Sequence, residues 1–199
     1  MPQKVWRRTF PLGHGLEKAA AAARSPGEPA PIVGPPEELD ALVQADVGGE
    51  GFTLSSFTAG DAAELGNLLY ARLLPFAAAG RPALISISGA GGAQVYFQLA
   101  TGSGTTPDNE SWVRRKRTAA LRFGVSSWYL GRKYKGDEAL FAAKFGLGPG
   151  EAGEYAIHGG AVPIRVEGVE GVVGVVVVSG LKQPEDHGVI AEVIRENWE

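Results

Sequence analysis

The sequence predicts a mixed α/β domain: a three-layer α-β-α sandwich around an antiparallel five-stranded sheet. Its predicted elements follow the order β-α-β-β-α-(α)-β-β-α, in which neighbouring strands are joined by hairpins rather than by crossover helices. Val172–Val178 is apolar at every position, so both faces of that strand should be covered. A length of 199 residues with 44% hydrophobic residues is enough for one domain with its own core.

Residues 1–36 are predicted to form an irregular N-terminal arm. Ala19–Ala23 precedes a run of prolines that ends at Pro36, a biased composition typical of a linker. The domain itself is expected over residues 37–199. It should begin with a short helix that has Pro36 near its first position and that turns Leu39, Leu42 and Val43 inward.

The first half of the domain should contain three strands and a helix. Phe52–Phe57 alternates as a strand does, and Asp61–Ala79 repeats leucines at helical spacing, although Pro75 should end or kink that helix. Pro82–Ser88 and Gln94–Thr101 are predicted to pair across a glycine-rich turn.

The second half should contain a basic helix, a second hairpin and a final helix. Thr106 is a suitable N-cap, since Pro107 and two acids follow it, and the helix should run to Phe123. The remaining predicted elements are, in order, a helical segment near Glu138–Phe145, strands Ala161–Val166 and Val172–Val178, and a helix from Pro184 to about Asn197.

Basic residues are concentrated in one segment of an otherwise acidic chain. Between Ser111 and Gly136 there are eight lysines and arginines and no acid, while the whole chain carries a net charge of −3. Such a segment can bind phosphate or carboxylate groups, or it can contact an acidic surface of another subunit. Nucleic acid is an unfavoured partner, because the patch is short and the rest of the chain would repel a polyanion.

Several classes of protein are excluded by what the sequence lacks. It has no cysteine, which excludes disulfides, thiolate zinc sites, iron–sulfur clusters and cysteine nucleophiles. There is no Gly-x-Ser-x-Gly elbow of the kind that serine hydrolases use. The longest apolar run is too short to span a bilayer, and the N-terminus lacks the apolar stretch of a signal peptide. We therefore expect a soluble cytoplasmic protein without membrane contact.

The last hairpin should bring two of the three histidines to one edge of the sheet. With its turn near Val169, Ala161 lies opposite Val177, so His158 arrives beside the segment that leads into the final helix. Glu185, Asp186 and His187 begin that helix, and His187 falls on its core side. One interpretation is a pocket in which His158 and His187 bind a metal, haem or an acidic ligand, with Asp186 or Glu185 assisting. The other is that both histidines are structural.

A lysine in the basic helix forms the second candidate feature. Lys116 lies in the middle of the stripe formed by Trp112, Val113, Ala120 and Phe123, whereas the arginines fall on the flanks and the outside. A lysine at such a position needs a carboxylate partner or a ligand anion, unless its chain extends past the stripe into water. Lys116 and the adjacent Arg115 are therefore added to the candidate ligand-binding residues.

Five short motifs resemble one known family. They are WVRRKR at 112–117, FGxSS at 123–127, YAIHGGAVPI at 155–164, VSGL at 178–181 and EDH at 185–187. With these motifs the sequence resembles the GlcG/HbpS-like family over about Glu37 to Glu199, and within it a subgroup of small bacterial and fungal proteins often assigned a haem-degrading domain. The resemblance implies a profilin-like α-β-α fold, assembly into homo-oligomers and, for some relatives, binding of haem or iron.

Two hypotheses of function follow. The first is a homo-oligomeric cytoplasmic protein that binds haem or another anionic small molecule in a pocket near His158, His187 and Lys116. The second is a non-enzymatic scaffold or adaptor whose basic segment contacts other subunits or partners. Neither hypothesis assigns a reaction.

Overall fold

The computed structural model describes residues 4–199 and has the predicted mixed α/β architecture. The first three residues of the predicted arm lie outside the described residues. The elements are β1 (Val5–Trp6), α1 (His14–Arg24), α2 (Leu39–Gln44), β2 (Phe52–Leu54), α3 (Ala59–Ala78), β3 (Leu84–Gly89), β4 (Val95–Ala100), α4 (Pro107–Phe123), α5 (Ser127–Lys133), α6 (Glu138–Phe145), α7 (Pro149–Ala152), β5 (Ala161–Val166), β6 (Gly174–Ser179) and α8 (Gln183–Asn197).

The sheet has six strands in the order β1-β2-β5-β6-β3-β4, one more than predicted. Both predicted hairpins are present as antiparallel pairs, β3 with β4 and β5 with β6. The prediction of a wholly antiparallel sheet is wrong at one edge, where β1 pairs with β2 and β2 pairs with β5 in parallel. No short turn joins β2 to β5, so the local sequence does not determine the direction in which β2 pairs.

Helices cover both faces of the sheet, as the apolar β6 strand predicts. Val176 and Val178 pack in the larger core with α3 and α8, while Val175 and Val177 pack in a second core with α4. Ala161 is paired with Val177, which confirms the predicted hairpin register. The loop before β5 and the loop after β6 therefore meet at one end of the sheet.

The N-terminal arm contains more regular structure than predicted. Ala19–Ala23 belongs to α1, which agrees with the high helix propensity of alanine. The backbone N–H groups of Gly13 and Gly15 donate to the carboxylate of Glu64 in α3, which holds the start of α1 against the domain. The division of the chain at residue 36 stays a prediction. In α2, Leu42 is buried as expected, but Val43 is exposed.

Three further local details differ from the sequence analysis. Helix α3 continues through Pro75 to Ala78, and the short helices α5 and α7 were not predicted. The hydroxyl of Ser126 accepts a hydrogen bond from the N–H of Tyr129 and caps α5, as serine commonly does. Within residues 4–199, no helix has the length and apolar character needed to cross a membrane.

Candidate functional site

A cavity of about 270 Å³ lies where α4 meets the loop before β5 and the segment between β6 and α8. We call it the α4–α8 pocket. Helix α4 contributes side chains at positions three and four residues apart, which share one face of a helix. The residues that line the α4–α8 pocket are Asn109, Trp112, Lys116, His158, Ser179, Gly180, Leu181, Gln183 and Asp186.

A buried ion pair forms one wall of the α4–α8 pocket. The ammonium of Lys116 donates to Oδ2 of Asp186 at 2.9 Å and to the carbonyl of Val178 at 3.2 Å. The two charged side chains are only 4% and 3% exposed. Of the alternatives for Lys116, the structure therefore contains the carboxylate partner.

The carboxylate of Asp186 is held from both sides. Its Oδ1 accepts a hydrogen bond from the backbone N–H of Leu181 at 3.0 Å, while Oδ2 accepts from Lys116. Burial raises the pKa of Asp186 to about 6, although the Lys116 ammonium and the hydrogen bonds act in the opposite direction. Asp186 therefore changes its charge close to neutral pH, whereas an exposed aspartate does so near 4.

His158 is the histidine that lines the α4–α8 pocket. Its ring lies edge-on to Trp112, with centroids 4.9 Å apart. The Nδ1 atom is buried and makes no hydrogen bond within residues 4–199, although Oε1 of Glu138 lies 3.4 Å from it. Burial lowers the pKa of His158; Glu138 opposes this effect, and Lys116 and Arg115 reinforce it. The imidazole is thus neutral at pH 7 and can either donate or accept a hydrogen bond.

His187 is fully buried and is not among the residues that line this pocket. Its Nε2–H donates to the carbonyl of Val47 at 2.7 Å, and burial lowers its pKa to about 4. The expectation that it faces the core is confirmed. The expectation that His187 meets His158 in one pocket is not confirmed, because the Nε2 of His187 is hydrogen-bonded to the Val47 carbonyl. Within the part of the chain that the structure describes, no group of three or more His, Cys, Asp or Glu residues could hold a metal ion.

The other two predicted residues lie beside the α4–α8 pocket and do not line it. The carboxylate of Glu185 accepts from Arg81 at 2.6 Å and from the N–H of Lys182 at 3.1 Å. The guanidinium of Arg115 donates to the carbonyl of Tyr155 at 2.9 Å and lies over the ring of Trp112. Glu185 therefore caps α8, and Arg115 packs over the ring of Trp112.

Sequence reasoning missed three polar or aromatic members of the pocket wall. Asn109 donates from Nδ2 to the carbonyl of Ser179 at 3.3 Å, and Gln183 accepts from the N–H of Gly159 at 3.3 Å. Asn109 and Trp112 precede Lys116 by seven and four residues, so helical spacing contained the signal for both. Gln183 had no such signal, since its position depends on how the loop before β5 meets α8.

Most of the basic segment is engaged within the chain. Its arginines contact carboxylates, a serine hydroxyl or a phenol, which leaves fewer free charges than the sequence suggests. The pairs are Arg114 with Glu154, Arg115 with Glu138, Arg117 with Ser86, Arg122 with Tyr155 and Arg132 with Glu37.

A family model described as haem degrading protein HbpS-like matches residues 57–195. The chain belongs to the HbpS-like family. A UPF0303 protein of Streptomyces avermitilis is 42% identical over 144 residues, which cover 72% of this HbpS-like chain and 82% of that relative. A UPF0303 protein of Psychromonas ingrahamii is 43% identical over 103 residues, which cover 52% of this chain and 62% of that one.

Solved structures support the fold assignment. The crystal structure of the Ybr137w protein is 35% identical in sequence, with a TM-score of 0.68 over 80% of this HbpS-like chain and 87% of that one. The PduOC:heme complex has a TM-score of 0.55 at 17% identity and covers 70% of this chain and 94% of its own. The second likeness shows a shared fold only.

Two cavities formed by the described residues do not fit an enclosed haem. The α4–α8 pocket, at about 270 Å³, is smaller than the roughly 300–1,000 Å³ of pockets that enclose drug-sized ligands. A larger cavity of about 1470 Å³ lies between the proline-rich segment and α8. Among the described residues that line it, none is a histidine, cysteine, methionine or tyrosine, the side chains that hold haem iron.

Proposed function

We propose that this HbpS-like protein binds a small organic anion in the α4–α8 pocket. The supporting observation is that three features favourable to an anionic oxygen line one small cavity. They are the ammonium of Lys116, which is paired with Asp186, the imidazole of His158 and the start of the 15-residue helix α8. A helix N-terminus favours negative charge, and a neutral imidazole can donate a hydrogen bond to a carboxylate.

The remaining lining residues would orient such a ligand. The amide of Asn109 can donate to an oxygen, and the indole of Trp112 offers an apolar surface to the carbon skeleton. Trp112 is itself held between His158 and Arg115, so its ring is positioned before a ligand arrives. This arrangement favours a short molecule with one charged end over an extended apolar one.

Asp186 couples binding to pH. A carboxylate ligand near Lys116 brings a second negative charge towards Asp186, which favours protonation of that residue. Since the pKa of Asp186 is about 6, we expect the affinity for an organic acid to rise as the pH falls from 7.5 to 5.5. An affinity that stays constant over this range would contradict the coupling.

The proposal of a small organic anion does not include haem binding, homo-oligomerisation or a cytoplasmic location. The likeness to the PduOC:heme complex supports a shared fold, and the volume of the α4–α8 pocket favours a smaller anion than haem. Assembly and location stay predictions from sequence; native mass spectrometry would measure the first, with and without haem. The scaffold hypothesis has less support, because most arginines of the basic segment already have partners in the chain.

Isothermal titration calorimetry with pyruvate, lactate and butyrate tests the proposal. For His158→Ala we expect at least a tenfold loss of affinity, since the imidazole is removed from the pocket wall. His14→Ala is the matched control, because His14 lies in α1 and is not among the residues of the pocket wall. Equal losses in both variants, or no binding of any of these acids to the wild type, would overturn the proposal.

A further inference from the structure

A second, smaller cavity adjoins the α4–α8 pocket. It has a volume of about 140 Å³ and lies beside the C-terminal end of α5. His158 and Gln183 line both cavities, so the two spaces are neighbours at these side chains. The other residues that line the smaller cavity are Trp128, Gly131, Arg132, Lys135, Gly136 and Ile157.

The lining of this smaller cavity is cationic. Arg132 and Lys135 both line it, and none of the acidic side chains in residues 4–199 does. The nearest acid to Arg132 is Glu37, whose carboxylate is 3.5 Å away and whose side chain is 71% exposed. An ion pair at such a position is weak and does not compete strongly with a ligand. The guanidinium also lies over the ring of Trp128, which holds it at the cavity.

Two backbone carbonyls near Arg132 and Lys135 are engaged in hydrogen bonds of the turn that follows α5. Carbonyl groups at a helix C-terminus carry partial negative charge, which would weaken the attraction for an anion. Here two carbonyls near the end of α5 accept hydrogen bonds, those of Gly131 and Arg132 from the N–H groups of Gly136 and Lys135. Lys135 adopts a left-handed backbone with φ of 55°, part of the tight turn that makes these bonds.

We propose that Arg132 and Lys135 form a second anion-binding subsite, so that the ligand of this protein carries two anionic groups. This inference rests on the proposed function of the α4–α8 pocket, which would take the first group. His158 and Gln183, which line both cavities, are uncharged hydrogen-bonding side chains at pH 7. They would face the middle of the ligand and suit a hydroxyl or carbonyl there.

The ligand class is therefore a dicarboxylate or a phosphorylated carboxylate of short chain length. Both present anionic oxygens at two ends, and both satisfy a guanidinium and an ammonium. The two ligand classes differ in the geometry of the second anionic group, since a phosphate presents three oxygens and a carboxylate two. Glutarate and adipate represent the first class, 2-phosphoglycolate represents the second, and butyrate serves as the monoanion.

The test compares these probes on three proteins at constant ionic strength and pH 7. Arg132→Gln/Lys135→Gln removes the cations of the smaller cavity. Lys133→Gln/Lys144→Gln removes the same amount of charge at residues that do not line it, and so controls for long-range electrostatics. Calorimetry on the wild type should show glutarate, adipate or 2-phosphoglycolate binding at least tenfold more tightly than butyrate.

The subsite variant should lose that preference while its butyrate affinity stays within twofold of the wild type. The charge control should keep the preference. A wild type that binds butyrate and the dianions equally would overturn the second subsite alone, as would a preference that survives Arg132→Gln/Lys135→Gln. A wild type that binds neither butyrate nor any dianion would overturn the proposed function together with this inference. The probe that binds most tightly decides between dicarboxylate and phosphate.

Discussion

Replacing Lys116 by methionine is the most informative single perturbation of the pocket wall. The substitution keeps the length and apolar stem of the side chain but removes the ammonium that Asp186 contacts at 2.9 Å. The carboxylate then stays buried without its charge partner. For buried pairs broken in this way, the free energy of unfolding falls by about 3–5 kcal/mol at neutral pH.

The pH dependence of this loss has a definite sign. The Lys116 ammonium lowers the pKa of Asp186, so its removal raises that pKa further above about 6. A buried carboxyl whose pKa is raised binds its proton more tightly in the folded state than in the unfolded chain. Stability therefore falls as the pH rises. Relative to the wild type, Lys116→Met should be least stable at pH 8 and should recover towards pH 5.

Urea unfolding followed by tryptophan fluorescence measures both effects. Lys116→Met/Asp186→Asn should recover most of the loss, because the asparagine still accepts from Leu181 and no charge is left buried. Arg114→Met is the control, since its pair with Glu154 is about half exposed and such pairs contribute less than about 1 kcal/mol. A loss for Lys116→Met no larger than that for Arg114→Met, or a double variant as unstable as the single one, would contradict a buried, paired Asp186 carboxylate.

Two further predictions concern buried residues near the pocket. The pKa of His187 is about 4 in the folded protein and near 6.5 in the unfolded chain, so the unfolded chain binds the proton more tightly. The free energy of unfolding therefore falls by about 3 kcal/mol as the pH falls through this range. His187→Gln keeps a donor for Val47 and should reduce acid sensitivity in pH-dependent unfolding; an unchanged profile would contradict this. Gly160→Ala should cost about 3 kcal/mol, since φ is 119° and the new Cβ would lie 2.4 Å from the Val178 carbonyl. Gly136→Ala has open space and should cost about 1 kcal/mol, so equal losses in thermal unfolding would refute the steric argument.

Much of the site could be predicted because it depends on local patterns. The apolar β6 strand and the turn before it set the pairing of Ala161 with Val177, and that register brings His158 beside the start of α8. Helical spacing placed Lys116 on the buried face of α4, where its burial requires a counter-charge. Asp186 could supply one because the same register brings α8 to that end of the sheet.

The features that were missed depend on contacts between distant segments. Helix α1 is alanine-rich, but the prolines that follow Ala19–Ala23 are typical of a linker. The contact of α1 with Glu64 in α3 cannot be seen in the local sequence. The parallel pairing of β2 with β5 involves strands separated by more than 100 residues. His187 was correctly assigned to the core, but which backbone group it would hold depended on the position of Val47.

The most direct test of the central claim uses the four tryptophan indoles as reporters of three cavities. Trp112 lines the α4–α8 pocket, Trp128 lines the adjoining cavity, and Trp6 and Trp198 line the large cavity beside α8. Their indole N–H signals can be followed in a ¹H–¹⁵N spectrum and assigned by Trp→Phe variants. Butyrate should shift the signal of Trp112, and glutarate should shift those of Trp112 and Trp128, while Trp6 and Trp198 stay unchanged. Shifts confined to Trp6 and Trp198, or no shift at saturating acid, would contradict the account.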